Sequence, residues 1–125
     1  MKLPRRAFEL LVADALDDLP PFFAQAMSNI AVQILPWPLP HHFHAADLES
    51  DGLLLGLYEG IPLTHRTSGY QMVPPDTITL FQGPIEAVTD GTAADIRAEV
   101  RHTVIHEIAH HFGISDDRLR ELGAY

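Results

Sequence analysis

Residues 106–116, HEIAHHFGISD, constrain the chain more than any other stretch. At about 100° per residue, His106 and His110 project only ~40° apart on a helix, so a helical backbone aims both imidazoles at one point. Gly113 can adopt the left-handed conformation that ends a helix, and the turn it makes lets Asp116 fold back. A shuffled chain of this composition would contain H-E-x-x-H roughly 3% of the time, and the form extended to Gly113 and Asp116 roughly once in ten thousand. The longer pattern is therefore a strong signal.

The helix that carries it is predicted from near Thr92, where Thr92 and Asp95 make a capping pair, to Phe112. Val100, Val104, Ile105, Ile108, Ala109 and Phe112 form an apolar arc roughly opposite the histidines, expected to pack on a sheet or on the first helix. The chain has no cysteine, so disulfides are excluded and any metal must sit on nitrogen and oxygen donors. His106, His110 and the Asp116 carboxylate make such a set for one Zn2+ ion, and three protein ligands leave a fourth position for water, as a catalytic site requires. Glu107, about 100° round the helix from His106, is placed to accept a proton. A bare H-E-x-x-H also suits the solvated face of an amphipathic helix; Gly113 and Asp116 tip the balance towards a metal.

A length of 125 residues, with 46% hydrophobic and 20% charged side chains, suits a single folded domain over residues 1–125. The formal charge of −9 repels phosphate backbones and anionic lipid surfaces, so neither nucleic acid nor a membrane is an expected partner. Arg5-Arg6-Ala7-Phe8 faintly suggests an export signal, but Glu9, Asp14, Asp17 and Asp18 interrupt the apolar region it would need, and a cytoplasmic location is expected.

Along the rest of the chain, Phe8, Leu11, Val12, Ala15, Leu16 and Leu19 recur at helical spacing, with Pro4 suited to the first turn and Pro20-Pro21 as the stop. A short helical turn is expected through Phe22 to Met27. Strands are predicted over 29–35, 53–58 and 77–81, the last two separated by a connection containing Arg66, Gly69, Pro74 and Pro75. Residues 36–52 mix turn formers with His41, His42 and His44, and read as a long surface loop whose histidines are solvated rather than ligands. His102 reads as a partly exposed helical histidine, and His111 points away from the metal direction. Glu99 can orient a ligand histidine only if the fold brings it close.

The extended motif resembles that of the minimal zincins, small bacterial metallopeptidase-like proteins carrying H-E-x-x-H-x-x-G-x-x-D. Residues 55–60 (LGLYEG) and 75–85 (PDTITLFQGPI) are similar to that family as well. The resemblance implies an α+β fold, a small twisted sheet packed with an N-terminal helix and a long active-site helix. It also implies that His106, His110 and Asp116 bind zinc and that Glu107 is the catalytic carboxylate. Asp117 competes as third ligand, and the family spacing favours Asp116. The metzincins, by contrast, use a histidine there and a later methionine turn, which this chain lacks. The expected activity is zinc-dependent peptide hydrolysis, with a peptide or unfolded protein segment as partner. The alternative is a metal-stabilised binding module without turnover. Tyr58, Arg66, Tyr70 and Tyr125 are all of a type that can steady an oxyanion, and strand 53–58 is the expected edge for an extended peptide.

Overall fold

Prolines bracket the first helix. In the computed structural model, which describes residues 3–45, 53–60 and 76–122, α1 spans Arg5–Asp17 with Pro4 just outside it as the capping residue, rather than inside its first turn. Pro21 then opens α2 (Pro21–Ala26), where a missing N–H costs nothing, and a 3-10 turn over Met27–Asn29 leads into β1 (Ile30–Leu35). Next come α3 (Pro40–Ala45), β2 (Gly56–Glu59), β3 (Asp76–Phe81), α4 (Gln82–Ala87), α5 (Ala93–His111) and α6 (Asp116–Glu121). The fold is of the mixed α+β class. The Arg66-to-Pro75 connection lies outside the described residues. No helix among those described is long and apolar enough to cross a membrane.

The described strands form one sheet in the order β1-β3-β2. β1 runs parallel to β3, from Ile30 opposite Asp76 to Leu35 opposite Phe81, and β2 runs antiparallel to it, from Gly56 opposite Leu80 to Glu59 opposite Thr77. Strand alternation divides β3 between two faces. Ile78 and Leu80 are fully buried with Val100, Val104, Ile105 and Ile108 of α5, and α1 adds Phe8, Val12 and Ala15 to the same core. Each such aromatic or branched side chain contributes about 1.5–3 kcal/mol on full burial. Arg101 donates to the Asp18 carbonyl at 3.1 Å, fastening the end of α1 to α5.

Phe81 points to the other face, where it packs with Leu54, Leu57, Leu35 and Phe43. This second core corrects the reading of residues 36–52 as a solvated loop. Pro40–Ala45 is a helix, and His42 is only 4% exposed, set edge-on to Phe81 at 4.9 Å. Its Nδ1 accepts from the Leu39 N–H at 2.8 Å. Burial is the main cause holding the His42 pKa below its ordinary value, with His41 adding to it, so the ring serves as a neutral acceptor. β2 is also shorter than residues 53–58 suggested, and α4 was not anticipated: Gly83 donates to the Pro36 carbonyl at 2.8 Å under the Trp37 ring.

The long helix starts where its capping residues place it. The Thr92 hydroxyl accepts from the Asp95 N–H at 3.2 Å and itself donates to Asp90 Oδ1 at 2.7 Å. Removing the cap with Thr92→Ala is expected to cost about 1 kcal/mol. In thermal unfolding that is a fall of about 4 °C, and an unchanged midpoint would mean the cap contributes nothing.

Candidate functional site

The chain reversal after α5 follows from one residue. Gly113 has φ +69°, its N–H donates to the His110 carbonyl at 3.2 Å, and the Ile114 N–H reaches back to the Ala109 carbonyl at 2.8 Å. This paired closure with a left-handed glycine is the Schellman termination, with Ile114 adding its apolar contact to the core. Ser115 then caps α6, accepting from the Arg118 N–H at 3.2 Å, which puts Asp116 and Asp117 in that helix's first turn.

His106 is half-buried, with its Nε2 shielded from solvent and the His102 ring tilted against it at 4.2 Å. Burial is the largest cause lowering the His106 pKa, and His102 lowers it further. Asp116 is near enough for its charge to pull the other way. The net effect is a ring kept neutral, the form that binds metals. His110, in the last turn of α5, and Asp116 are both exposed. Among the described residues no three histidine or carboxylate side chains are gathered into a group that would hold an ion. The donors nonetheless fit zinc in type: two imidazoles one helical turn apart, the first with its pKa lowered, and a carboxylate whose charge acts on the first ring. Asp117 takes a different path, accepting from Arg120 at 3.2 Å with its side chain 90% exposed.

Glu107 turns towards β2 at the sheet edge. Its Oε1 accepts the Tyr58 backbone N–H at 3.0 Å, a contact across 49 positions of sequence. Burial raises the carboxyl pKa above its ordinary value, while the Tyr58 N–H and the nearby His110 work against that rise. A carboxylate with a raised pKa and one fixed hydrogen bond is a better proton acceptor than an ordinary, freely solvated one. Tyr58 donates its hydroxyl to Asp76 Oδ2 at 2.6 Å and stacks its ring on His111 at 3.9 Å. Tyr70, Arg66 and Tyr125 lie outside the described residues.

The histidine side of α5 is not simply a solvated face. Thr103, one turn before the motif, is buried, and a Cβ built on Gly56 would meet its Cγ2 at 2.7 Å. A glycine inside the apolar run LLLGLY was the available signal that another backbone or helix approaches there. Phe112 departs from the expected apolar arc. It is 53% exposed, with its ring edge-on to Phe22 at 6.3 Å. Glu99 bonds His102 and Thr103, each at 3.3 Å, rather than the ring of His106. Beside His106 and Glu107 opens a cleft of about 410 Å³, with Leu55, Gly56 and Val88 on one side and Glu99, His102 and Thr103 on the other.

A helix-borne H-E-x-x-H, a glycine turn, a following aspartate and an edge strand over the motif glutamate define the zincin class of metallopeptidase folds. The zincin-like metallopeptidase family model matches residues 27–124, and the chain belongs to that family. No curated protein matches it.

Proposed function

We propose that this protein is a zinc-dependent peptidase in which His106, His110 and Asp116 hold one Zn2+ ion and Glu107 is the general base. The observation that carries the reading is the placement of Glu107: one residue after a neutral, half-buried histidine, with a raised pKa and its carboxylate anchored to the edge-strand amide of Tyr58. Zinc, when bound, supplies Lewis acidity towards a carbonyl and makes water a better acid. Glu107 takes the proton from the attacking water and hands it to the departing amine. The Tyr58 N–H keeps the carboxylate oriented through both transfers. Asp76 accepts the single proton of the Tyr58 hydroxyl at 2.6 Å, which fixes the ring of the residue that carries this amide.

The substrate is a short peptide or unfolded protein segment, drawn along β2. The Tyr58 amide already serves Glu107, so the peptide pairs with the remaining groups of that edge. The chain acts as one domain, in the cytoplasm, on neither nucleic acid nor membranes. Metal content measured together with cleavage of a mixed peptide library, before and after chelation, tests the reading. Near-stoichiometric zinc and cleavage lost on chelation and regained on zinc addition are expected. Bound zinc with no cleavage from pH 6 to 8 would instead define a metal-stabilised binding module. Because the metal needs neutral imidazole and ionised carboxylate, occupancy should fall as pH drops through roughly 6, and constant occupancy down to pH 4 would rule out these ligands.

A further inference from the structure

The cleft beside the motif sets apolar side chains against a stretch of α5 that carries a carboxylate two helical turns before the motif. Leu55 and Val88 line its sides, and Glu99 and Glu107 are the acidic residues among its described lining. Glu107 is spoken for by Tyr58. Glu99 is not fully used: both of its bonds, to His102 and Thr103, fall on Oε2, and its side chain is 22% exposed. The cleft therefore offers a partly desolvated carboxylate oxygen in its lining, two helical turns from His106 and in the company of Leu55 and Val88.

We propose that this cleft is the specificity pocket of the domain and receives a lysine or arginine side chain flanking the scissile bond, with Glu99 as the residue that selects it. The inference rests on the peptidase reading for the meaning of the scissile bond. Length supports it. Glu99 lies seven residues before His106, about 10 Å along the helix axis at 1.5 Å per residue. A lysine stem of four carbons spans about 6 Å, and a hydrogen bond of about 3 Å closes the remainder. The volume, about 410 Å³, is in the range that ordinarily accepts a small ligand.

Chemistry decides between side chains. A lysine or arginine lays its aliphatic stem against Leu55 and Val88 and brings its cation to Glu99. A leucine or phenylalanine fills the slot but strips water from the carboxylate without replacing it. A glutamate meets like charge at both Glu99 and Glu107. Alanine and serine are too short to reach Glu99 from a scissile bond at His106.

Two readouts test this. Peptides of one fixed sequence, differing only by lysine, norleucine or glutamate at a single position, are titrated into the zinc-loaded protein at pH 8, above the ordinary imidazole range. Binding is followed by the methyl shifts of Leu55 and Val88, and cleavage of the same peptides by kcat/KM. Lysine is expected to bind about tenfold better than norleucine, a step of ~1.4 kcal/mol, and glutamate worse than either. Glu99→Gln should bring lysine and norleucine within twofold, lysine binding weakening as the charge partner is lost and norleucine no longer having to desolvate a carboxylate. Val88→Lys, at a position 45% exposed on the rim, should lower lysine binding without touching the helix. Equal binding of lysine and norleucine by the wild type, or a lysine preference that survives Glu99→Gln, overturns the proposal. Absence of cleavage with the binding preference intact defeats the peptidase reading alone and leaves the pocket assigned.

Discussion

Glu107→Gln is expected to lower peptide cleavage by about 10²–10⁴-fold while leaving fold and metal binding in place. The amide oxygen of glutamine can still accept the Tyr58 N–H, so β2 keeps its anchor on α5. What is lost is the proton acceptor. A parallel effect on stability follows from the same burial. The carboxyl has its pKa raised above the ordinary 4.5, first by burial, so the folded chain binds this proton more tightly than the unfolded chain does. For a carboxyl raised in this way, the group's favourable contribution is complete below the unfolded pKa and is lost as pH climbs through the folded one. Glutamine cannot ionise and loses nothing over that window. The metal-free variant should therefore unfold at a higher temperature than the metal-free wild type at pH 7. At pH 4 the two should coincide. A variant that cleaves like the wild type would remove Glu107 from the chemistry, and equal melting at both pH values would show that its burial carries no cost.

The elements set by local rules were legible in the sequence. α5 begins at a side-chain cap and ends at a left-handed glycine, and both devices are written in adjacent residues, Thr92 with Asp95 and Gly113 with Ile114. The same holds for α1 between its prolines and for β1 and β3, whose apolar residues alternate. α3 and α4 were hidden because six-residue helices have too few turns to show a period, and theirs are held from outside: His42 and Phe43 are pulled onto Phe81, and Gly83 is tied to Pro36. The run 53–58 is apolar throughout, so pattern alone could not say where pairing with β3 starts.

For the site, the sequence supplied the helix and its donors but not their surroundings. His106, Glu107, His110 and Asp116 sit within one short segment, so helix geometry and a glycine turn were enough to relate them. The hold of Tyr58 on Glu107, the closure of Gly56 on Thr103 and the meeting of Leu55 with Glu99 in one cleft all join segments far apart in the chain. Periodicity carries no information about such contacts. The same limit applies to Phe112, which the helical period puts on the apolar arc: it lies just past the end of α5, beyond the reach of the core.

How tightly β2 must sit on α5 can be measured at Gly56. A methyl group there would lie 2.7 Å from Thr103 Cγ2 and 3.3 Å from the Thr79 carbonyl oxygen. The first contact is closer than any real Cβ tolerates, and Thr103 is buried with its hydroxyl bonded to Glu99, so the side chain cannot swing freely away. Gly56→Ala should therefore cost about 1–3 kcal/mol, the usual penalty for overpacking. It should also lower cleavage, because the strand displaced by the methyl group is the one that presents the Tyr58 amide to Glu107, two residues along. Thr103→Ser removes Cγ2 and keeps the hydroxyl that donates to Glu99. Combined with Gly56→Ala, it should recover most of the lost stability and activity, giving a coupling of about 1–2 kcal/mol in a double-mutant cycle. Additive effects of the two changes, or full activity in Gly56→Ala alone, would show that close contact between this strand and the motif helix does not position the glutamate.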